Sequence, residues 1–154
     1  MSEDRFDAVV VGAGPAGTTA AITMARAGLT VVLLERGEYP GAKNVQGAVL
    51  YSKMLHDVVP DFWKEAESPV ERPIVEQKTC ITSGDSFVTA GYRSPKFLEG
   101  IPNCYTIIRT RFDQWYAKKA EEAGVNLLCG VKVDDVVRKD GRVAGVKTSD
   151  GDEL

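Results

Sequence analysis

A single histidine, His56, and three scattered cysteines are all that this 154-residue chain offers of the side chains that most often ligate metals or act as nucleophiles. Cys80, Cys104 and Cys129 are odd in number and far apart. That spacing excludes a metal knuckle, an iron-sulfur ligand run and a disulfide framework; it points to a reducing compartment and to small, semi-buried thiols. His56, with no second histidine to pair with, reads as a packed or solvent-facing imidazole. Basic tracts are missing as well. A net charge of -3 and a pI near 5.3 leave no electrostatic footprint for nucleic acid. Residues 8–34 carry one charge, Arg26, yet Gly12, Gly14, Pro15, Gly17 and Gly28 interrupt the apolar run. Glu3 and Asp4 stand where a signal peptide is basic, so a soluble chain with neither leader nor span is expected. Repeats and low-complexity segments are absent, and the length and the 44% hydrophobic and 27% charged content are those of one globular domain.

What is there is concentrated near the start. Ala8-Val9-Val10-Val11 runs into Gly12-Ala13-Gly14-Pro15-Ala16-Gly17, which opens an alanine-rich segment. This is a G-x-G-x-x-G element with a strand before it and a helix after it. Gly12 permits the tight turn, Gly14 lets the backbone approach a pyrophosphate, and Gly17 lets the helix lie close to the sheet. The phosphates would sit at the helix N-terminus formed by Pro15, Ala16 and Gly17, where the unpaired N–H groups that follow the proline favour negative charge. Leu29 to Leu34 then makes a second parallel strand ending in Glu35, 18 residues beyond Gly17. A carboxylate there accepts from ribose hydroxyls and repels a 2'-phosphate, which favours FAD or NAD over NADP.

Further along, Ala16–Ala27 reads as the first helix, stopped by Gly28, and residues 36–47 as a polar, glycine-rich loop of the length usually reserved for function. Leu50, Met54, Leu55 and Val58 at helical spacing predict a helix over 48–58, followed by a linker-like stretch over 60–70. Residues 73–82 and 86–92 around Ser83-Gly84-Asp85 predict a hairpin, and Tyr105–Ile108 a strand. Thr110 and Asp113 form a capping-box-like pair before a helix that Gly124 ends. Val125–Cys129 reads as a buried strand; residues 131–138 and 142–148 around Lys139-Asp140-Gly141 read as an antiparallel hairpin.

The long loop and β-rich excursion after Glu35 favour an FAD protein over an NAD dehydrogenase, and the loop lacks the paired cysteines of a disulfide reductase. The run Phe6–Gly17, together with Leu34-Glu35-Arg36-Gly37-Glu38-Tyr39-Pro40-Gly41-Ala42-Lys43-Asn44-Val45-Gln46-Gly47-Ala48 and the Arg-x-x-Phe-Asp element at Arg109, resembles the family of FixC and electron transfer flavoprotein-ubiquinone oxidoreductases. The resemblance covers nearly the whole chain but only the N-terminal part of such proteins.

The resemblance implies an α/β, Rossmann-like FAD-binding domain of the glutathione-reductase type, a parallel sheet plus an antiparallel hairpin, with the start of a second β-rich domain. Residues 1–69 would form the βαβ unit and flavin loop, 70–108 an excursion toward a substrate or quinone domain, and 109–154 the return. Glu35 is implied as the adenosine-ribose ligand and Arg36 as an adenine-side contact. Lys43, Asn44, Gln46 and Gly47 would approach the flavin ring or its phosphates, Arg109 the ribityl-pyrophosphate region, and Val133 would offer its backbone to adenine. The implied activity is electron transfer from an electron transfer flavoprotein heterodimer toward quinone or a ferredoxin-like protein, in the cytoplasm or peripherally on the membrane face, in the setting of nitrogen fixation. No metal is expected, and no side chain reads as an obligate acid, base or nucleophile. The later Gly-Asp segment, the quinone domain and the iron-sulfur region of such proteins are absent, which marks an N-terminal portion. A geranylgeranyl-reductase-like flavoenzyme, a related monooxygenase and a non-catalytic remnant or assembly subunit are the alternatives.

Overall fold

Four consecutive apolar residues, Val31-Val32-Leu33-Leu34, suit a strand covered on both faces, and all four are buried. They belong to β2 (Val31–Glu35), the middle strand of a parallel sheet β1-β2-β8, with β1 spanning Ala8–Val11 and β8 Asn126–Cys129. This computed structural model describes residues 5–154; Glu3 and Asp4 lie outside the described residues. Val32 and Leu34 share one face and pack with Val146 of β10 (Arg142–Thr148), together with Phe6, Val9, Val131 and Val133. Val31 and Leu33 point the other way. Helices α1 (Pro15–Arg26) and α3 (Arg109–Glu122) pack on the sheet and on each other.

Small residues let α1 lie close: Thr18, Ala21 and Ile22 are its buried face. α3 answers with Phe112, Trp115, Tyr116, Ala117 and Ala120, all buried. Burial pushes the Tyr116 phenol above its ordinary pKa, so it remains a donor. Its oxygen lies 2.8 Å from Thr19 Oγ1, whose own proton goes to Pro15 O at 2.7 Å. Tyr116 is therefore the donor in this helix-to-helix bond. The hairpin of β9 (Val133–Lys139) and β10 turns at Asp140 and Gly141, both at positive φ, as the Lys139-Asp140-Gly141 reading requires.

The chain divides into two compact units, residues 1–46 with 109–154, and residues 47–108. Residues 47–69, assigned from sequence to the nucleotide segment, group with 70–108. The second unit has an antiparallel sheet β3-β7-β4, with β3 at Gly47–Tyr51, β4 at Val70–Pro73 and β7 at Cys104–Ile108. Its core gathers Leu55, Val59, Phe62, Cys104, Tyr105 and Ile107. Strands β5 (Glu76–Ser83) and β6 (Ser86–Arg93) pair as a separate ribbon on which every residue but the half-buried Glu76 is exposed.

Several local expectations need correction. The helix over 48–58 shrinks to α2 (Ser52–His56), because Gly47–Tyr51 pairs residue for residue with β7. The 60–70 stretch is no plain linker, since it holds a 3₁₀ turn at Phe62–Lys64 with Phe62 buried. β8 is largely exposed rather than buried, having β2 as its one partner in that sheet. Of the thiols, Cys104 is buried while Cys80 and Cys129 are exposed. His56 is partly buried, its Nδ1 accepting from the Asp61 N–H at 3.0 Å beside the Trp63 ring.

Tyr116→Phe should lower unfolding stability by about 0.5–1.5 kcal/mol, the range for one hydrogen bond with the ring packing retained. Urea unfolding of the two proteins measures it; equal midpoints would show that the Tyr116–Thr19 bond contributes nothing.

Candidate cofactor site

The glycine turn comes first because backbone geometry leaves it little choice. Gly12 sits at φ +98° and donates its N–H to Leu34 O at 2.7 Å. A methyl on Gly17 would overlap the carbonyl oxygen of Gly12, so the helix can start this close to the turn only with glycine there. A methyl on Gly14 would meet only open space. Gly14 is the N-cap of α1 and supplies no side-chain cap, while Pro15 occupies the first helical position. The N–H groups of Ala16 and Gly17 thus belong to a first turn with no intrahelical acceptor, facing a side where backbone can be approached.

Glu35 closes this corner. Its Oε2 accepts from Ala13 N–H at 3.0 Å and its Oε1 from Gly37 N–H at 2.7 Å, so the carboxylate joins the glycine turn to the start of the following loop. Each oxygen keeps a second acceptor direction. Its backbone carbonyl accepts from Val131 N–H at 3.0 Å, and Gly37 O from Gly130 N–H at 2.9 Å, which brings the 131–133 segment across from Glu35. Between them lies a cleft of about 250 Å³ lined by Val11, Gly12, Leu34, Glu35, Arg36, Val131, Lys132 and Val133.

Four residues named from sequence, Gly12, Glu35, Arg36 and Val133, therefore meet in one place. Lys132 and Val131 were not foreseen. The only signal for them was adjacency to Val133. Lys132 does not offer a bare charge: its ammonium donates to Asp134 at 2.6 Å and, with Ser149, holds that carboxyl below the usual range. Cys129 stands opposite Glu35 in the parallel register. Partial burial, then the Glu35 and Glu121 carboxylates, push its thiol up, so it remains protonated at neutral pH.

The second group of named residues lies on the 36–46 loop and the first turn of α3. Lys43 and Gln46 are exposed. Asn44 is not free in the same way: its Nδ2 donates to Asp113 Oδ2 at 2.6 Å. Arg109 reaches the same carboxylate with both arms of its fork, Nε to Oδ1 and an Nη to Oδ2, each at 3.0 Å. Thr110 Oγ1 donates to Asn44 O at 2.6 Å, and Arg109 N–H to Gln46 O at 3.0 Å. The capping box expected of Thr110 and Asp113 does not form. The helix begins one residue earlier, and both side chains turn to the loop instead. Gly47 is the first residue of β3, in the other compact unit. Among the described residues, no group of three or more His, Cys, Asp or Glu is placed to hold a metal.

Known proteins resemble this chain in sequence and in backbone. The chain is 51% identical over 149 residues to Protein FixC of Bradyrhizobium diazoefficiens, covering 96% of this chain and 34% of that protein. It is 43% identical to Protein FixC of Escherichia coli over all of this chain and 35% of the relative. The chain thus spans about a third of the length of the curated relatives it matches. Among solved structures, a geranylgeranyl bacteriochlorophyll reductase-like protein of Thermoplasma acidophilum superposes with a TM-score of 0.75 at 26% identity, over 93% of this chain and 34% of that one. The myxobacterial chondrochloren halogenase CndH, a variant of FAD-dependent halogenases, does so with a TM-score of 0.68 at 27% identity, over 97% and 34%. The family model for FAD dependent oxidoreductases matches residues 7–153. With its glycine turn, acid-tipped second strand and return hairpin, the chain belongs to the FAD-dependent oxidoreductase family.

Proposed function

We propose that this chain forms the nucleotide-holding part of a FixC-like electron-transfer flavoprotein, one that accepts electrons from an electron transfer flavoprotein heterodimer and passes them toward quinone or a ferredoxin-like partner. The observation that carries the reading is 43–52% identity to proteins named FixC over nearly the whole chain. The matched stretch includes both the adenosine cleft and the Lys43–Gln46 loop.

The residues suit the adenosine and pyrophosphate half of FAD. The open side of Gly14 and the uncapped first turn of α1 present N–H donors to an anion, and Glu35 keeps acceptor directions for ribose hydroxyls. Arg36 would lie on the adenine side, with the backbone of Val133 opposite. When bound, FAD supplies the redox chemistry. This part of the protein binds and orients, and no acid or base of its own is assigned to the reaction. Among the described residues, no helix is long and apolar enough to cross a membrane. Since quinone is lipid-borne, the reading calls for a cytoplasmic protein in peripheral contact with the membrane face, and the FixC resemblance for a role in nitrogen fixation.

A second reading has its own support. The backbone likeness to the reductase-like protein from Thermoplasma favours a flavoenzyme that reduces isoprenoid double bonds. Flavin reduction in the intact flavoprotein separates the two. Reduction by an electron transfer flavoprotein is expected; turnover with an isoprenoid substrate alone would overturn the electron-transfer reading, and a purified protein with no flavin bands in its visible spectrum would overturn both.

Two variants examine the cleft itself. Glu35→Ala should weaken ADP binding by about 1.5–3 kcal/mol, the range for hydrogen bonds to a charged group, in a calorimetric titration. Unchanged affinity would place the ribose elsewhere. Gly17→Ala should abolish ADP binding or unfold the βαβ unit, because the added methyl collides with backbone rather than with a movable side chain. A folded Gly17→Ala protein of normal affinity would show that the turn can open without consequence.

A further inference from the structure

We propose that Asp113 is the positioning residue of the 36–46 loop: paired with Arg109, it holds Asn44 in place and so sets where the loop presents the exposed side chains of Lys43 and Gln46 to the flavin. The inference rests on the FAD reading above.

The argument starts with a carboxylate whose side chain is fully buried. Such a group is tolerated only when its charge is paired and its oxygens hold hydrogen bonds. Asp113 has both. The Arg109 fork, one helical turn earlier, neutralises it through two parallel bonds, and the Asn44 amide supplies a third. Of these partners, Asn44 lies far away in sequence, so the bond ties a loop to a helix. The tie is backed by backbone on both sides. Thr110 holds the Asn44 carbonyl, the Asn44 N–H donates to Gly41 O at 2.9 Å, and Ala42 N–H donates to Tyr39 O at 3.0 Å.

Gly41 shows how close the loop lies. It adopts φ +83°, and a methyl on it would stand 3.0 Å from Asp113 Cβ and 3.1 Å from Thr110 Cα. Only glycine gives the loop both that conformation and that approach. Asn44 is thus held at its amide, its carbonyl and its N–H, whereas the side chains of Lys43 and Gln46 on either side are exposed. Charge follows the same division. Arg109 and Asp113 cancel, so Lys43 is the loop's uncancelled cation on the 41–46 stretch.

Two measurements test this, one without ligand and one with it. In hydrogen exchange, Asp113→Asn and Asn44→Ala should each speed exchange at the Ala42 and Asn44 amides at least tenfold, with Lys43→Ala leaving those amides unchanged. Asn44→Ala removes no buried charge, so it serves if Asp113→Asn fails to fold. In the flavin-loaded intact protein, either variant should weaken FAD about tenfold while ADP affinity stays the same. The double variant should lose no more than the worse single one, because both act through one tie. Unchanged exchange in both single variants would overturn the proposal, as would losses in FAD affinity that multiply in the double variant, which would show that Asp113 and Asn44 act independently. If the unaltered protein binds neither ADP nor FAD, the nucleotide reading fails and the assignment of Lys43 and Gln46 fails with it; the exchange arm separates that result from failure of the tie.

Discussion

Everything near the candidate site depends on where the Glu35 carboxylate is held. It ends a strand whose four preceding residues are buried, so its backbone cannot shift without disturbing the sheet. From that fixed point it accepts one N–H from the glycine turn and one from the next loop. A side chain usually described by what it would bind is also a strut between two segments 24 residues apart. The acid is therefore oriented before any ligand arrives, and the hydrogen-bonding directions left over are set by the fold rather than by the ligand.

The parts of this architecture visible in the sequence were those in which local chemistry and tertiary demand agree. Gly12 and Gly17 are glycine for steric reasons that any neighbour would impose, and Asp140-Gly141 for a turn of one hand. The apolar run 31–34 has no plausible home but a covered strand. The segment 48–58 shows the opposite case. Leu50, Met54, Leu55 and Val58 fit a helix by spacing, but Val49, Leu50 and Tyr51 are also good strand residues, and pairing with β7 decides between them. No local signal carries that partner.

The same limit explains the site. Glu35 could be named because it tips the second strand of the βαβ unit, whereas Arg36 and Val133 came from the family resemblance alone. Asp113 could not be assigned correctly, since a threonine followed three residues later by an acid reads as a cap. Only the approach of a loop from 69 residues away turns both side chains to another use. A buried ion pair is invisible in sequence until its third partner is known.

The ribbon of β5 and β6 has a consequence of a different kind. Its apolar residues Ile81, Phe87, Val88 and Tyr92 are 63–71% exposed; Ile81 pairs with Val88 across the strands and the Tyr92 ring meets Phe97 beyond them. Two strands so supported are marginal in water. Local opening of the ribbon is therefore expected at a free energy below that of global unfolding. While open, it presents unpaired backbone and apolar side chains together, the combination that proteases cut and that neighbouring chains pair with.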